Sequence, residues 1–143
     1  MKQITSTAVS RPPTVTAAAV LIFGSALWTA LLSIGHLGVD IPLISALGPG
    51  GNRVVLSAGI VFALATAVQV AIGIGLTRMR PWAWTAGVVV NALALLGGIT
   101  EFRGAGSVIG MVLSAAVLVL LLTPQARDAL RGTYARKQRA GSA

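Results

Sequence analysis

Four long apolar blocks, separated by short polar or glycine-rich stretches, dominate the chain. They cover about 14–36 ("TVTAAAVLIFGSALWTALLSIGH"), 54–77 ("VVLSAGIVFALATAVQVAIGIGLT"), 82–100 ("WAWTAGVVVNALALLGGIT") and 107–123 ("SVIGMVLSAAVLVLLLT"). A hydrocarbon layer of about 30 Å needs about 20 helical residues to cross it, with a range of about 17–25. Each block fits, the last two at the short end. The pattern therefore predicts an all-α fold, a four-helix transmembrane bundle over 14–123. It is preceded by a short segment, 1–13, and followed by a basic tail, 124–143.

The segments between blocks carry their own signals. In "LGVDIPLISALGPGGNR", Asp40 can cap a short helix, Pro42 suits its first turn and Gly48 can end it. Its face of Ile41, Leu43, Ile44 and Leu47 would rest on the membrane interface; an irregular loop is the competing reading. Asn52 is placed to cap the second spanning helix. Pro124 ends or kinks the fourth. Beyond it Ala126, Leu130 and Tyr134 recur every four residues, while Arg127, Arg131 and Arg136 face elsewhere. That spacing suits a short helix lying on anionic headgroups; a basic tail with no structure of its own is the alternative.

Charge sharpens the topology. Only 10% of residues are charged, against roughly 25% in a soluble domain. The net charge of +8 lies between and beyond the apolar blocks, so it reads as membrane topology and not as a nucleic-acid surface. One side would hold Lys2, Arg11, Arg78, Arg80, Arg127, Arg131, Arg136, Lys137 and Arg139, the other only Arg53 and Arg103. Basic residues collect on the cytoplasmic side. Both termini are thus expected in the cytoplasm, with 37–53 and 101–106 outside, in a multi-pass protein of the cytoplasmic (inner) membrane. Of the inner set, Arg78, Arg80, Arg127, Arg131, Arg136, Lys137 and Arg139 would meet anionic lipid headgroups. Trp82 and Trp84, just after the basic turn, occupy the level of an aromatic belt, as does Phe102 on the opposite side. The first block exceeds the apolar stretch of about 7–15 residues found in a cleaved signal, and no A-x-A site follows it.

Polar residues inside the blocks are few. Gln69 and Asn91 each lie eleven positions from Arg80, the centre of the turn between blocks two and three. In an antiparallel hairpin, equal offsets mean equal depth. A lone amide in hydrocarbon costs several kcal/mol, so the two are expected to hydrogen-bond each other across the helices. Gly59, Ala63, Ala67, Ala71 and Gly75 form a stripe of small residues every four positions, expected to be a close-packed seam. Trp28 is unusual in falling near the middle of the first helix.

The candidates for chemistry are weak. His36, Asp40 and Glu101 all fall at the interface. No Asp, Glu, Lys or Arg lies inside a span, which argues against a proton pump or ion-coupled transporter. With no cysteine, thiolate metal sites and a Cys nucleophile are excluded. Ser25, Ser33, Ser57 and Ser114 have no base nearby, and hydroxyls in membrane helices usually bond their own backbone. No cofactor, metal or catalytic residue is expected.

The basic turn "GLTRMRPWAWTAG" and the helix ending "LLLTPQARDAL" resemble small four-helix membrane proteins of actinobacteria and their phages. The resemblance spans the hydropathy profile and implies a four-helix inner-membrane protein, with no catalytic residue carried over. The expected role is non-enzymatic: an accessory or interaction subunit that binds a membrane-protein partner, or itself as a homo-oligomer, through small-residue helix faces. The alternative is a holin-like or small-solute permeation protein.

Overall fold

A computed structural model of the chain describes residues 11–46, 54–100 and 105–130. Within them lie α1 (Pro13–His36), α2 (Pro42–Ser45), α3 (Leu56–Thr77), α4 (Pro81–Thr100) and α5 (Ala105–Leu122); residues 124–130 are helical as well. The expectations for Leu47, Gly48, Asn52, Glu101, Phe102, Arg131, Tyr134, Arg136, Lys137 and Arg139 fall outside the described residues. Four helices are long and apolar enough to cross a membrane, each within two residues of its predicted bounds. They form an antiparallel ring in which α1 packs on α3, α3 on α4, α4 on α5, and α5 back on α1. Large apolar side chains such as Val20, Leu27, Leu64, Leu93, Val112 and Val119 cover the outside, each more than 60% exposed. Water would not tolerate so continuous an apolar surface; hydrocarbon does. The protein is a multi-pass membrane protein.

Proline and left-handed residues punctuate the helices. Pro13, Pro42 and Pro81 stand in first turns, where a missing N–H costs nothing. Both α1 and α3 end in the same double-bonded turn. After α3, Met79 takes φ 52°, its N–H bonds Leu76 O at 3.0 Å, and the Arg80 N–H bonds Gly75 O at 2.8 Å. After α1, Gly38 takes φ 99°, with Gly38 N–H to Gly35 O at 3.1 Å and Val39 N–H to Ile34 O at 3.3 Å. These bonds satisfy carbonyls that a helix end otherwise leaves open. The N-cap of α2 is Ile41, without a side-chain cap. Asp40 instead accepts a hydrogen bond from Ser45 Oγ at 2.8 Å. Val55, not Asn52, holds the N-cap position of α3, and its N–H bonds His36 O at 3.0 Å.

Pro124 bends the chain after α5. Its absent N–H would have bonded Leu120 O, and the Thr123 hydroxyl takes that carbonyl at 2.7 Å. Leu121 O receives the Trp84 indole N–H at 2.8 Å. Trp84 is therefore more than a belt residue, since it pins α4 to α5 at the bend. Past the bend, Ala126 and Leu130 are fully buried against Val15, Leu76 and Leu121. The described part of the tail, 124–130, thus turns Ala126 and Leu130 into the bundle instead of laying them on headgroups.

The expected small-residue seam is not continuous. Gly59 and Gly75 are buried, but Ala63, Ala67 and Ala71 are exposed. The reason is helical geometry: a four-residue step overshoots one turn by about 40°, so the row winds about 160° around α3 between its ends. A Cβ on Gly59 would meet Leu37, at the end of α1, at 2.9 Å, whereas one on Gly75 would meet Ala83 of α4 at 2.6 Å. The two glycines serve different neighbours, and the alanines between them cross the outside.

Candidate functional site

Each spanning helix places one buried polar side chain near its middle: Ser25 in α1, Gln69 in α3, Asn91 in α4 and Ser114 in α5. Counted from the helix ends nearest the termini, they stand 12, 8, 10 and 8 residues in. At roughly 1.5 Å per residue that is a belt about 12–18 Å deep. The amides do not pair as expected. Gln69 Oε1 accepts from Thr29 Oγ1 of α1 at 3.1 Å, while Asn91 Nδ2 donates to Gly87 O of its own helix at 2.8 Å. Among the described residues no hydrogen bond joins the two amides. Equal offset from the turn set their depth but not their direction. Gln69 lies within about 40° of Gly73, which faces Phe23 of α1, and about 120° around from Gly75, which faces α4.

The belt divides the bundle. Toward the termini the packing is dense: Val15, Ala18, Ile22, Ile72, Leu76, Ala83, Val117 and Leu121 are at most 1% exposed. At Gly87 all four helices converge. A Cβ there would lie 2.9 Å from Leu121, 3.4 Å from Ile72 and 3.9 Å from Ile22. Toward the loop that holds α2, the helices instead splay around a partly open cavity of about 570 Å³, with the exposed Val61 and Leu93 on its rim. That volume falls within the roughly 300–1,000 Å³ of small-molecule sites.

The cavity wall is mostly apolar. Trp28 and Leu32 come from α1, Val61, Phe62 and Ala65 from α3, Leu93 and Ala94 from α4, and Met111 and Leu113 from α5. Glycines at 97, 98, 106 and 110 thin the walls of α4 and α5; at Gly97 and Gly110 an added Cβ would meet nothing within 4 Å. Ile44 of α2 stands at the mouth, fully buried. The expected membrane-resting face of α2 is thus split, with Ile44 turned into the bundle and Leu43 59% exposed.

Polar groups enter this wall at two levels. At the mouth, His36 Nδ1 lies 2.8 Å from Leu32 O. A carbonyl only accepts, so Nδ1 carries the proton, and in the neutral ring Nε2 is left as an acceptor. The ring leans on Phe62 with centroids 5.3 Å apart. Nearby, Ser33 Oγ donates to Gly59 O at 2.7 Å and ties α1 to α3. At the floor are Ser25, Thr29, Gln69 and Ser114. Thr29 Oγ1 also lies 2.9 Å from Thr66 Oγ1, which is itself 2.8 Å from Phe62 O. Thr29 engages one end of the Gln69 amide only. Ser25 Oγ is buried with no hydrogen-bond partner. The sequence had assigned such serines to their own backbone; Ser25 and Ser33 do otherwise.

The remaining expected site residues lie elsewhere. Arg78, Arg80 and Arg127 are exposed near the end that carries the termini, and Arg11 donates to Thr77 O across α1 and α3. Trp82 is half-exposed and lies over Gly75. The cavity itself was missed in the sequence; its one legible trace was the run of glycines in the facing ends of α4 and α5. No protein-family model matches the chain, and comparison with curated proteins and with solved structures gives no significant match.

Proposed function

We propose that this membrane protein is a non-enzymatic binding protein, an accessory component of the cytoplasmic membrane with both termini inside, whose bundle takes up a small, mainly apolar molecule. The observation that carries the reading is the unequal packing along the bundle: one half is closed at side-chain density, the other holds a cavity of about 570 Å³ with a polar floor. Protein interiors leave few voids larger than a water molecule, and a recess of this size between spanning helices supports a binding role. Convergence of Ile22, Ile72 and Leu121 on Gly87 gives a blind cup and argues against the permeation alternative.

Fluorescence of Trp28, which lines the cavity, tests the reading. In mild detergent, 1-bromooctane is expected to quench it saturably. The Trp28→Phe protein supplies the background from Trp82 and Trp84. Gly110→Leu or Ala65→Leu, each placing bulk in the cup, should remove the saturable phase. Quenching of Trp28 that rises without limit, parallel to the background, would refute the cup. Solute flux through vesicles carrying the protein would favour a channel.

A further inference from the structure

We infer that the guest of this cup is a single-chain aliphatic molecule ending in an uncharged oxygen group, an alcohol in its simplest form, bound head-down with that group on the mid-membrane floor. The inference rests on the cup reading above and adds the chemistry and direction of the guest.

Two polar side chains open on the floor. Ser114 lines the cavity and is buried to 5% exposure, and among the described residues nothing bonds its Oγ. Gln69 is only half satisfied: Thr29 reaches Oε1, and among the described residues nothing bonds Nε2. A buried polar group without a partner is rare and calls for an explanation. Ser25 Oγ, also unpartnered, is sealed in the packing and does not open on the cavity. The floor therefore offers donors from two helices, where hydrocarbon would leave them unsatisfied.

Those donors select the guest. A plain alkane would fill the volume but leave Ser114 and Gln69 as they are. A hydroxyl or carbonyl oxygen accepts from either. A charged head is disfavoured, because among the described residues no Lys, Arg, Asp or Glu lines the cavity and an unpaired ion at the floor would lack both water and counter-charge. Above the floor, Trp28, Leu32, Phe62, Leu93 and Met111 surround the chain with apolar groups. From Ser25 to His36 at the mouth α1 advances eleven residues, about 16 Å of wall for the tail. The orientation is the reverse of an ordinary lipid, whose head stays at the interface.

Competition against 1-bromooctane quenching of Trp28 tests this. At equal mole fraction in detergent, 1-decanol is expected to displace the quencher at least tenfold more effectively than decane. Satisfying an orphaned buried donor is worth at least that factor. Decylammonium and decyl phosphate should not displace it. In Ser114→Ala, the alcohol's advantage should fall to about threefold or less while decane competes as before; Gln69→Leu should act in the same direction. Equal competition by decanol and decane in the native protein would overturn the inference while leaving the cup intact, and would mean that water or nothing meets the floor. Failure of 1-bromooctane itself to saturate would remove the cup, and the inference with it. Displacement by either charged probe would also overturn the head-down assignment.

Discussion

Gly75→Ala isolates the contact that holds α3 against α4. The added methyl would sit 2.6 Å from the Ala83 Cβ and 2.9 Å from the Trp82 ring. Ordinary carbon contacts are about 3.5–4.0 Å, so roughly 1 Å must be found. Trp82, half-exposed, can swing aside; Ala83 is fully buried and has no rotamer to change. The helix backbones must separate. Overpacking of this kind costs about 1–3 kcal/mol, and with both backbones forced to move the upper half of that range applies. Ala gains about 1 kcal/mol over Gly in helix propensity. The net expectation is a loss of about 1–2 kcal/mol. Gly24→Ala is the matched control, because nothing lies within 4 Å of its added Cβ. It should gain about 0.5–1 kcal/mol. The assay is unfolding by increasing SDS mole fraction in mixed micelles, followed by far-UV circular dichroism. Adding Ala83→Gly to Gly75→Ala should recover part of the loss, and the coupling energy of that cycle measures the contact directly. If Gly75→Ala proved as stable as Gly24→Ala, the close approach of α3 and α4 would be refuted.

Other expectations use the same measurement. Ala67→Leu and Ala71→Leu face outward and should change stability by no more than about 0.5 kcal/mol; a loss above about 1 kcal/mol in both would reveal a partner on that face. Trp84→Phe keeps the ring but loses the bond to Leu121 O, and should cost about 1 kcal/mol; an unchanged unfolding midpoint would show the bond idle. Leu130→Ala empties a fully buried site and should cost about 2–5 kcal/mol, whereas a surface-lying tail would lose almost nothing. Reporter fusions at Ala143 and within 37–53 test the orientation; activity of an extracytoplasmic reporter at Ala143 would reverse it.

The spans were legible because each is bounded by two strong constraints, the length needed to cross hydrocarbon and the positions of Pro13, Pro81 and Pro124. Depth was legible too, and the belt of Ser25, Gln69, Asn91 and Ser114 generalises the equal-depth argument first made for two amides. Direction was not legible. Rotation about a helix axis is fixed by which neighbour packs where, and in apolar spans every face looks alike, so the partner of Gln69 was misassigned from α1 to α4. The stripe failed for a related reason, since a four-residue repeat is not a helical face over four steps. The cavity left almost no trace, because empty space is set by how helices splay. Of its wall residues the sequence had marked only the centrally placed Trp28 as unusual, and the glycines of α4 and α5 had passed without notice.

The burial of Ala126 and Leu130 against Val15 bears on how the protein is made. Synthesis runs from α1 toward the tail, so Val15 and Ala18 enter the bilayer long before α5 exists to cover them. The bundle's dense end cannot close until residues 126 and 130 have left the ribosome and folded back past Pro124. Until then α1 and α3 share only their own interface, and the side of α1 meant for α5 is bathed in lipid. The dense end is therefore the last part of the bundle that the order of synthesis allows to close.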